Sequence, residues 1–193
     1  MRRGWRSLSG WRRFFDVVVT LMLIAATIWG VRRFGVFEGN GIRVLDGDSL
    51  MVDGREVRLH GIDAVELHQT CHEPDGREWP CGRLARAHLR KLVRGHSLTC
   101  RTIDEDRYGR VVARCITDAG MDIGERMVRD GWAVAYVRHS PAYVMAERDA
   151  RDARRGIWAG RFTPPEEWRA RRRAAQESAA VATGTGAASV PPD

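Results

Sequence analysis

The chain has 193 residues and a formal charge of +7, a length that suits one domain with extensions and permits a real hydrophobic core. The charge does not mark a basic nucleic-acid-binding domain. Residues 1–40 hold seven Arg against two acids and residues 169–193 hold four Arg against two, so 41–168 is left with 21 basic and 21 acidic side chains. Lys91 is the single Lys, and so strong a bias to Arg reads as composition rather than selection for phosphate.

Arg2, Arg3, Arg6, Arg12 and Arg13 precede an apolar run, Val17–Val31, which reaches back to Phe14 if Asp16 is accepted inside it. This pattern predicts a basic cytoplasmic segment over 1–13 and a single transmembrane signal-anchor helix over 14–31. At about 1.5 Å per residue the run spans roughly 22–27 Å, against about 30 Å of bilayer core, a mismatch that thinning and snorkelling absorb. The Arg excess on the N-terminal side directs the rest of the chain out of the cytoplasm, to the periplasmic face of the inner membrane. Cleavage of the segment as a secretory signal is the alternative, although no A-x-A site closes the run.

Residues 32–40 read as a linker and 41–168 as the globular domain. Ile42–Leu45 is a strand ended by Asp46-Gly47, Asp48–Val52 a second, and Arg55–Ile62 a third, with Asp53-Gly54 as a two-residue hairpin turn between the last two. That turn places Ser49 opposite Arg58 and puts Asp48 on the other face, unless the hairpin is bulged or Asp48 sits in the preceding turn. After a loop over 63–81, Gly82–Arg94 carries helical spacing. Ser97–Ile103 and Arg110–Ile116 are strands around Asp106–Gly109. A helix over Met121–Arg129 ends at Asp130-Gly131. Trp132–Val137 is a further strand and Pro141–Arg155 a third helix. From Arg169 the chain turns Arg-rich and then Ala/Gly/Ser/Thr-rich, which predicts a disordered tail over 169–193. Short antiparallel strands with a helix between the third and fourth suit a five-stranded OB-type barrel carrying three helices, an α+β, mainly β, fold.

Cys71, Cys81, Cys100 and Cys115 form an even set, which outside the cytoplasm predicts two disulfides. A two-residue turn at Arg107-Tyr108 sets Cys100 across from Cys115 as a hydrogen-bonded pair, with Cα atoms about 5.5 Å apart, and leaves Cys71 for Cys81. A zinc site from Cys71, His72 and Cys81 with His68 and His88 competes with that reading but lacks a usual zinc-ligand spacing.

Taken singly, Asp46-Gly47-Asp48 is a turn signal, Arg58 a solvated strand charge, Asp63 and Glu66 ordinary loop acids, and Arg110 an ordinary post-turn residue. Together, VLDGDSLMV, VRLHGIDAVE and DRYGR occur in this order, followed by GWAVAYV and GIW. The series resembles the staphylococcal nuclease (thermonuclease) family over Ile42–Trp158. The resemblance implies an OB barrel with three helices and a calcium-dependent nuclease. It implies Asp48 and Asp63 as calcium ligands together with the backbone carbonyl of Ala64. Glu66 matches the general base or water-orienting residue, and Arg58 and Arg110 match the phosphate-binding arginines. Arg107 and Tyr108 match a terminal-phosphate contact and Tyr136 an aromatic lining the nucleotide pocket. Two positions depart from the family pattern: Val65 stands where Pro is usual, and Arg138 where a second aromatic is usual. The chemistry is coherent, because calcium takes oxygen ligands and Arg presents a charged fork to phosphate oxygens. The expected function is cleavage of DNA, with RNA as a second substrate, at little sequence specificity and by endonucleolytic attack. No obligate protein partner is evident. The competing expectation is a membrane-anchored OB module that binds nucleic acid or protein without catalysis.

Overall fold

Residues 8–184 are described by a computed structural model of the chain. In order, the elements are α1 (Leu8–Phe34), β1 (Val36–Gly39), β2 (Ile42–Val44), β3 (Ser49–Val52), β4 (Arg55–Leu59), β5 (Ile62–Ala64), β6 (Cys71–His72), β7 (Glu78–Trp79) and α2 (Cys81–Val93). They continue with β8 (Leu98–Glu105), β9 (Val111–Thr117), α3 (Ile123–Arg129), β10 (Ala133–Ala135), α4 (Val144–Asp152), a 3-10 turn (Gly156–Ala159) and α5 (Pro165–Gly184).

The Asp53-Gly54 turn forms as its chemistry demands. Both residues have positive φ, 47° and 81°, the requirement of the two-residue turn whose twist matches paired strands. Ser49 consequently lies opposite Arg58 and Leu50 opposite Val57 with no bulge. Asp48 falls in the turn before β3, and its carbonyl accepts from Leu59 N at 2.8 Å. The expected long third strand breaks at Gly61, whose φ of +78° ends the extended run and redirects the chain into β5.

That break decides the architecture. The main sheet has six strands in the order β1-β8-β9-β4-β3-β2, while β5 leaves it to pair with β10. The expected closed five-stranded barrel is therefore corrected to an α+β fold with an open sheet, edged by β1 and β2. The stretch expected as linker supplies β1, which extends the sheet by pairing with β8. Leu50, Val57, Leu59, Leu98 and Ala113 point into one core with Leu89 and Val93 of α2 and Ile123 and Met127 of α3.

The N-terminal segment is helical, but among the described residues no helix is long and apolar enough to cross a membrane. This corrects the transmembrane helix expected over 14–31. Asp16 interrupts the start, and the continuous run Val17–Val31 is only 15 residues, where about 20 are needed. Arg2, Arg3 and Arg6 lie outside the described residues.

The β8–β9 hairpin also differs from expectation. Its loop has three residues, Arg107–Gly109, closed by Asp106 N donating to Arg110 O at 3.0 Å. An irregularity at Ile103, between the pairs Thr102–Ala113 and Asp104–Val112, adds a residue to β8. The two insertions cancel, so Cys100 still faces Cys115. They exchange the pair type, and the Cα atoms stand 4.1 Å apart, as in a non-hydrogen-bonded pair. Both expected bridges, Cys71–Cys81 and Cys100–Cys115, are present. Replacing Cys100 and Cys115 together by Ser should cost about 3 kcal/mol through the 15-residue closure. Urea denaturation measures it, and an unchanged midpoint would show that the bridge adds nothing to the sheet.

Candidate active site

The Asp46-Gly47-Asp48 turn lies against β5 because Gly47 has no side chain. A Cβ there would approach the Ala64 Cβ to 2.7 Å. The close approach lets Asp48 Oδ2 accept from Ala64 N at 3.3 Å. Asp48 is 5% exposed and Asp63, on β5, 2%, so two carboxylates are buried side by side. Arg58 joins them from β4, with Nη2 3.0 Å from Asp48 Oδ2 and 3.1 Å from Asp63 Oδ1. Burial pushes the Asp48 carboxyl up to about 6; Arg58 opposes the rise, and the charges of Asp63 and Asp46 add to it. Asp48 in turn raises the Arg58 pKa above its ordinary value, against the effect of burial.

Glu66 sits on the loop that follows β5. Its N–H donates to Gln69 Oε1 at 3.2 Å and its carbonyl accepts from Gln69 N at 2.8 Å. Gln69 Nε2 then donates to Thr163 O at 2.6 Å. Gly82, at the start of α2, packs so closely on this loop that a Cβ would stand 1.8 Å from the Glu66 carbonyl oxygen. Val65 is fully buried beside the Cys71–Cys81 bridge. The loop is thus fastened by Gln69, Gly82 and the disulfide although it lacks the family's usual Pro.

Asp48, Arg58, Ala64, Glu66, Arg107, Tyr108, Arg110 and Tyr136 all line one cavity of about 880 Å³. Asp63 lies behind that wall, held by Arg58. Arg110 is oriented by Asp106, which accepts from its Nε at 2.7 Å and from its backbone N–H at 3.0 Å. Arg107 donates to the Tyr108 hydroxyl at 2.8 Å, and the Tyr136 ring lies 4.6 Å from that of His139. Arg138 is turned to Glu166 at 3.0 Å and is not part of the lining.

Sequence reasoning missed Asp46, His60, His139, Arg169 and Arg173, which also line the cavity. Arg169 matters most. Its guanidinium spans both carboxylates, with Nη1 2.9 Å from Asp63 Oδ1 and 2.7 Å from Glu66 Oε1, and Nη2 2.9 Å from Asp63 Oδ2. Burial works against its charge, but these bonds raise its pKa above the ordinary Arg value. Arg169 belongs to α5, in the stretch expected to be disordered; the chain is helical there as far as Gly184.

The donor set suits a hard cation. Asp48 and Asp63 already converge on one positive group, Arg58, and offer only oxygen. Among the described residues no three Asp, Glu, His or Cys side chains gather into a metal cage, so carbonyl, water and phosphate oxygens would complete a calcium shell. The zinc alternative fails because Cys71 and Cys81 are bridged and have no thiolate to give.

Comparison with known proteins decides the family. The model of the staphylococcal nuclease homologue family matches residues 56–160. The chain belongs to the staphylococcal nuclease family. An uncharacterized endonuclease of Escherichia coli is 33% identical over 141 residues, covering 69% of this chain and 86% of the relative. A probable staphylococcal-like nuclease of Oryza sativa subsp. japonica, CAN1, is 35% identical over 126 residues, 64% of this chain and 35% of the relative. A probable endonuclease of Schizophyllum commune, LCL3, is 33% identical over 135 residues, 60% and 44% respectively. This member of the family is a nuclease, a hydrolase of phosphodiester bonds whose substrate is nucleic acid. The family match ends at residue 160, so Arg169 lies outside it.

The nuclease buries Asp48 at a cost that depends on pH. A carboxyl whose pKa rises from 3.8 to about 6 on folding is penalised only when charged. The penalty grows as pH rises between those values and is complete above the higher one. Asp48→Asn, measured in chelator, should stabilise the protein by about 1–3 kcal/mol at neutral pH. The gain should vanish near pH ~3, below both values, where Asp48 is largely neutral in both states. Thermal unfolding at the two pH values reads the difference, and an equal effect at both would contradict burial as its source.

Proposed function

We propose that this nuclease is a calcium-dependent endonuclease, located outside the cytoplasm, that cleaves DNA, and RNA as a second substrate, with little sequence preference. One observation carries the reading: the buried Asp48–Arg58–Asp63 cluster adjoins a cavity whose wall holds Glu66 and Arg110. All the side chains that the family chemistry requires are present, which disfavours an inactive binding module. The endonucleolytic mode is supported by the names of the relatives from Escherichia coli and Schizophyllum commune.

Asp48 and Asp63, with the Ala64 carbonyl, would hold the calcium ion. When bound, the ion supplies Lewis-acid polarisation of the scissile phosphoryl group. Arg58 and Arg110 present guanidinium forks to the phosphate oxygens and oppose the charge that builds there. Glu66 takes the proton of the attacking water, which requires its carboxylate to leave Arg169. Arg107 and Tyr108, at the hairpin tip, meet a flanking phosphate, and Tyr136 offers a ring face to a base. Most of these groups address the backbone, which all sequences share. The two disulfides support an oxidising compartment.

Plasmid digestion in calcium, abolished by EGTA, is the direct test. Arg58→Ala or Arg110→Ala should each slow cleavage on the order of 10² or more. Undiminished digestion by the Asp63→Asn, Glu66→Gln double variant would sink the catalytic assignment. For the compartment, unreduced protein taken from the native cell should show both bridges by mass spectrometry; four alkylatable thiols would overturn the location.

A further inference from the structure

Arg169 is an internal cation on the carboxylates that the proposed chemistry needs. It reaches them from α5, past residue 160, where the family match ends. The guanidinium takes both oxygens of Asp63 and one of Glu66, at 2.7 to 2.9 Å. A calcium ligand cannot turn both oxygens to a guanidinium and to a metal ion, and Glu66 in an ion pair is a poor proton acceptor. Arg173, one turn further along α5, lines the same cavity, so the helix lies over its mouth.

We propose that α5 is an autoinhibitory latch, with Arg169 holding the metal-free site closed and calcium displacing it to open the nuclease. The inference rests on the calcium reading given above. The helix is placed to let go. Residues 170–178 are exposed, and α5 is held at its start by Arg169, by the buried Pro165 and by an exposed ion pair between Glu166 and Arg138. Thr163, just before the helix, is tied to Gln69 at 2.6 Å, which leaves a fixed pivot two residues from Pro165. Swinging the helix about that pivot frees Asp63 and Glu66 without disturbing the sheet.

Isothermal titration of the full chain with calcium alone tests the latch. Arg169→Gln removes the competitor and should tighten calcium binding by about tenfold, the scale of a charged hydrogen bond discounted for partial exposure. Arg169→Lys, which keeps the charge but loses the fork, should tighten it less. Arg171→Gln, whose partner Glu167 lies on α5 itself, should match the wild type. Circular dichroism verifies that each variant is folded; if Arg169→Gln is not, Arg169→Lys against the wild type carries the comparison. Calcium binding that is unchanged or weaker in the Arg169 variants overturns the latch and leaves the catalytic reading standing. A wild-type chain that binds no calcium overturns both.

Discussion

Two carboxylates, Asp48 and Asp63, are nearly sealed from solvent and held against one guanidinium. Burying like charges together is unfavourable in a medium of low polarisability, and a single Arg58 offsets it only in part. The raised Asp48 carboxyl, near 6, is the residue of that imbalance. The site is therefore built to want another positive charge. Its neighbourhood can be read as ways of supplying one, whether a guanidinium from α5 or a metal ion from solution.

Holding the cluster demands backbone positions that side chains would forbid. Gly47 lets the acidic turn touch β5, Gly61 peels β5 away from the main sheet, and Gly82 lets α2 sit on the Glu66 carbonyl. The pairing of β5 with β10 sets Asp63 opposite Val134, on a short ribbon fixed at both ends by core residues. Activity thus depends on contacts remote from the phosphate, because a small shift of β5 moves Asp63, Ala64 and Glu66 together.

Features governed by local chemistry were legible in the sequence. Asp53-Gly54 admits one tight turn, so the Ser49–Arg58 register followed directly. The order of DGD, the acids after β4, and DRYGR pointed to residues that line one cavity or, for Asp63, stand behind its wall on Arg58. Features that depend on competition between distant segments were not legible. The barrel was expected from strand count, but closure was decided by the turn at Gly61 and the preference of β5 for β10. The Cys100–Cys115 facing was right for an incomplete reason, since a longer loop and an irregularity at Ile103 cancelled. The apolar N-terminal run read as a membrane span because its shortfall in length was assigned to thinning and snorkelling, and charge asymmetry says nothing about whether so short a stretch suffices. Arg169 left no signal at all: an Arg in an Arg-rich segment carries no mark of the carboxylates it will meet.

Competition for the same carboxylates has a thermodynamic consequence. If Arg169 weakens calcium binding by some factor, calcium weakens the docking of α5 by the same factor, because the coupling between two ligands of one site is reciprocal. The metal-free protein is then the form in which α5 is best ordered, and the loaded protein the form in which it is loosest. Arg58 differs because the β4 register holds its backbone in the sheet, so its guanidinium stays beside the acids even when it turns to a phosphate. Two arginines face the same acids, yet only the one on α5 can leave the site together with the element that carries it. The distinction between a structural counter-charge and a removable one lies in the elements that carry them, since the side chains are chemically identical.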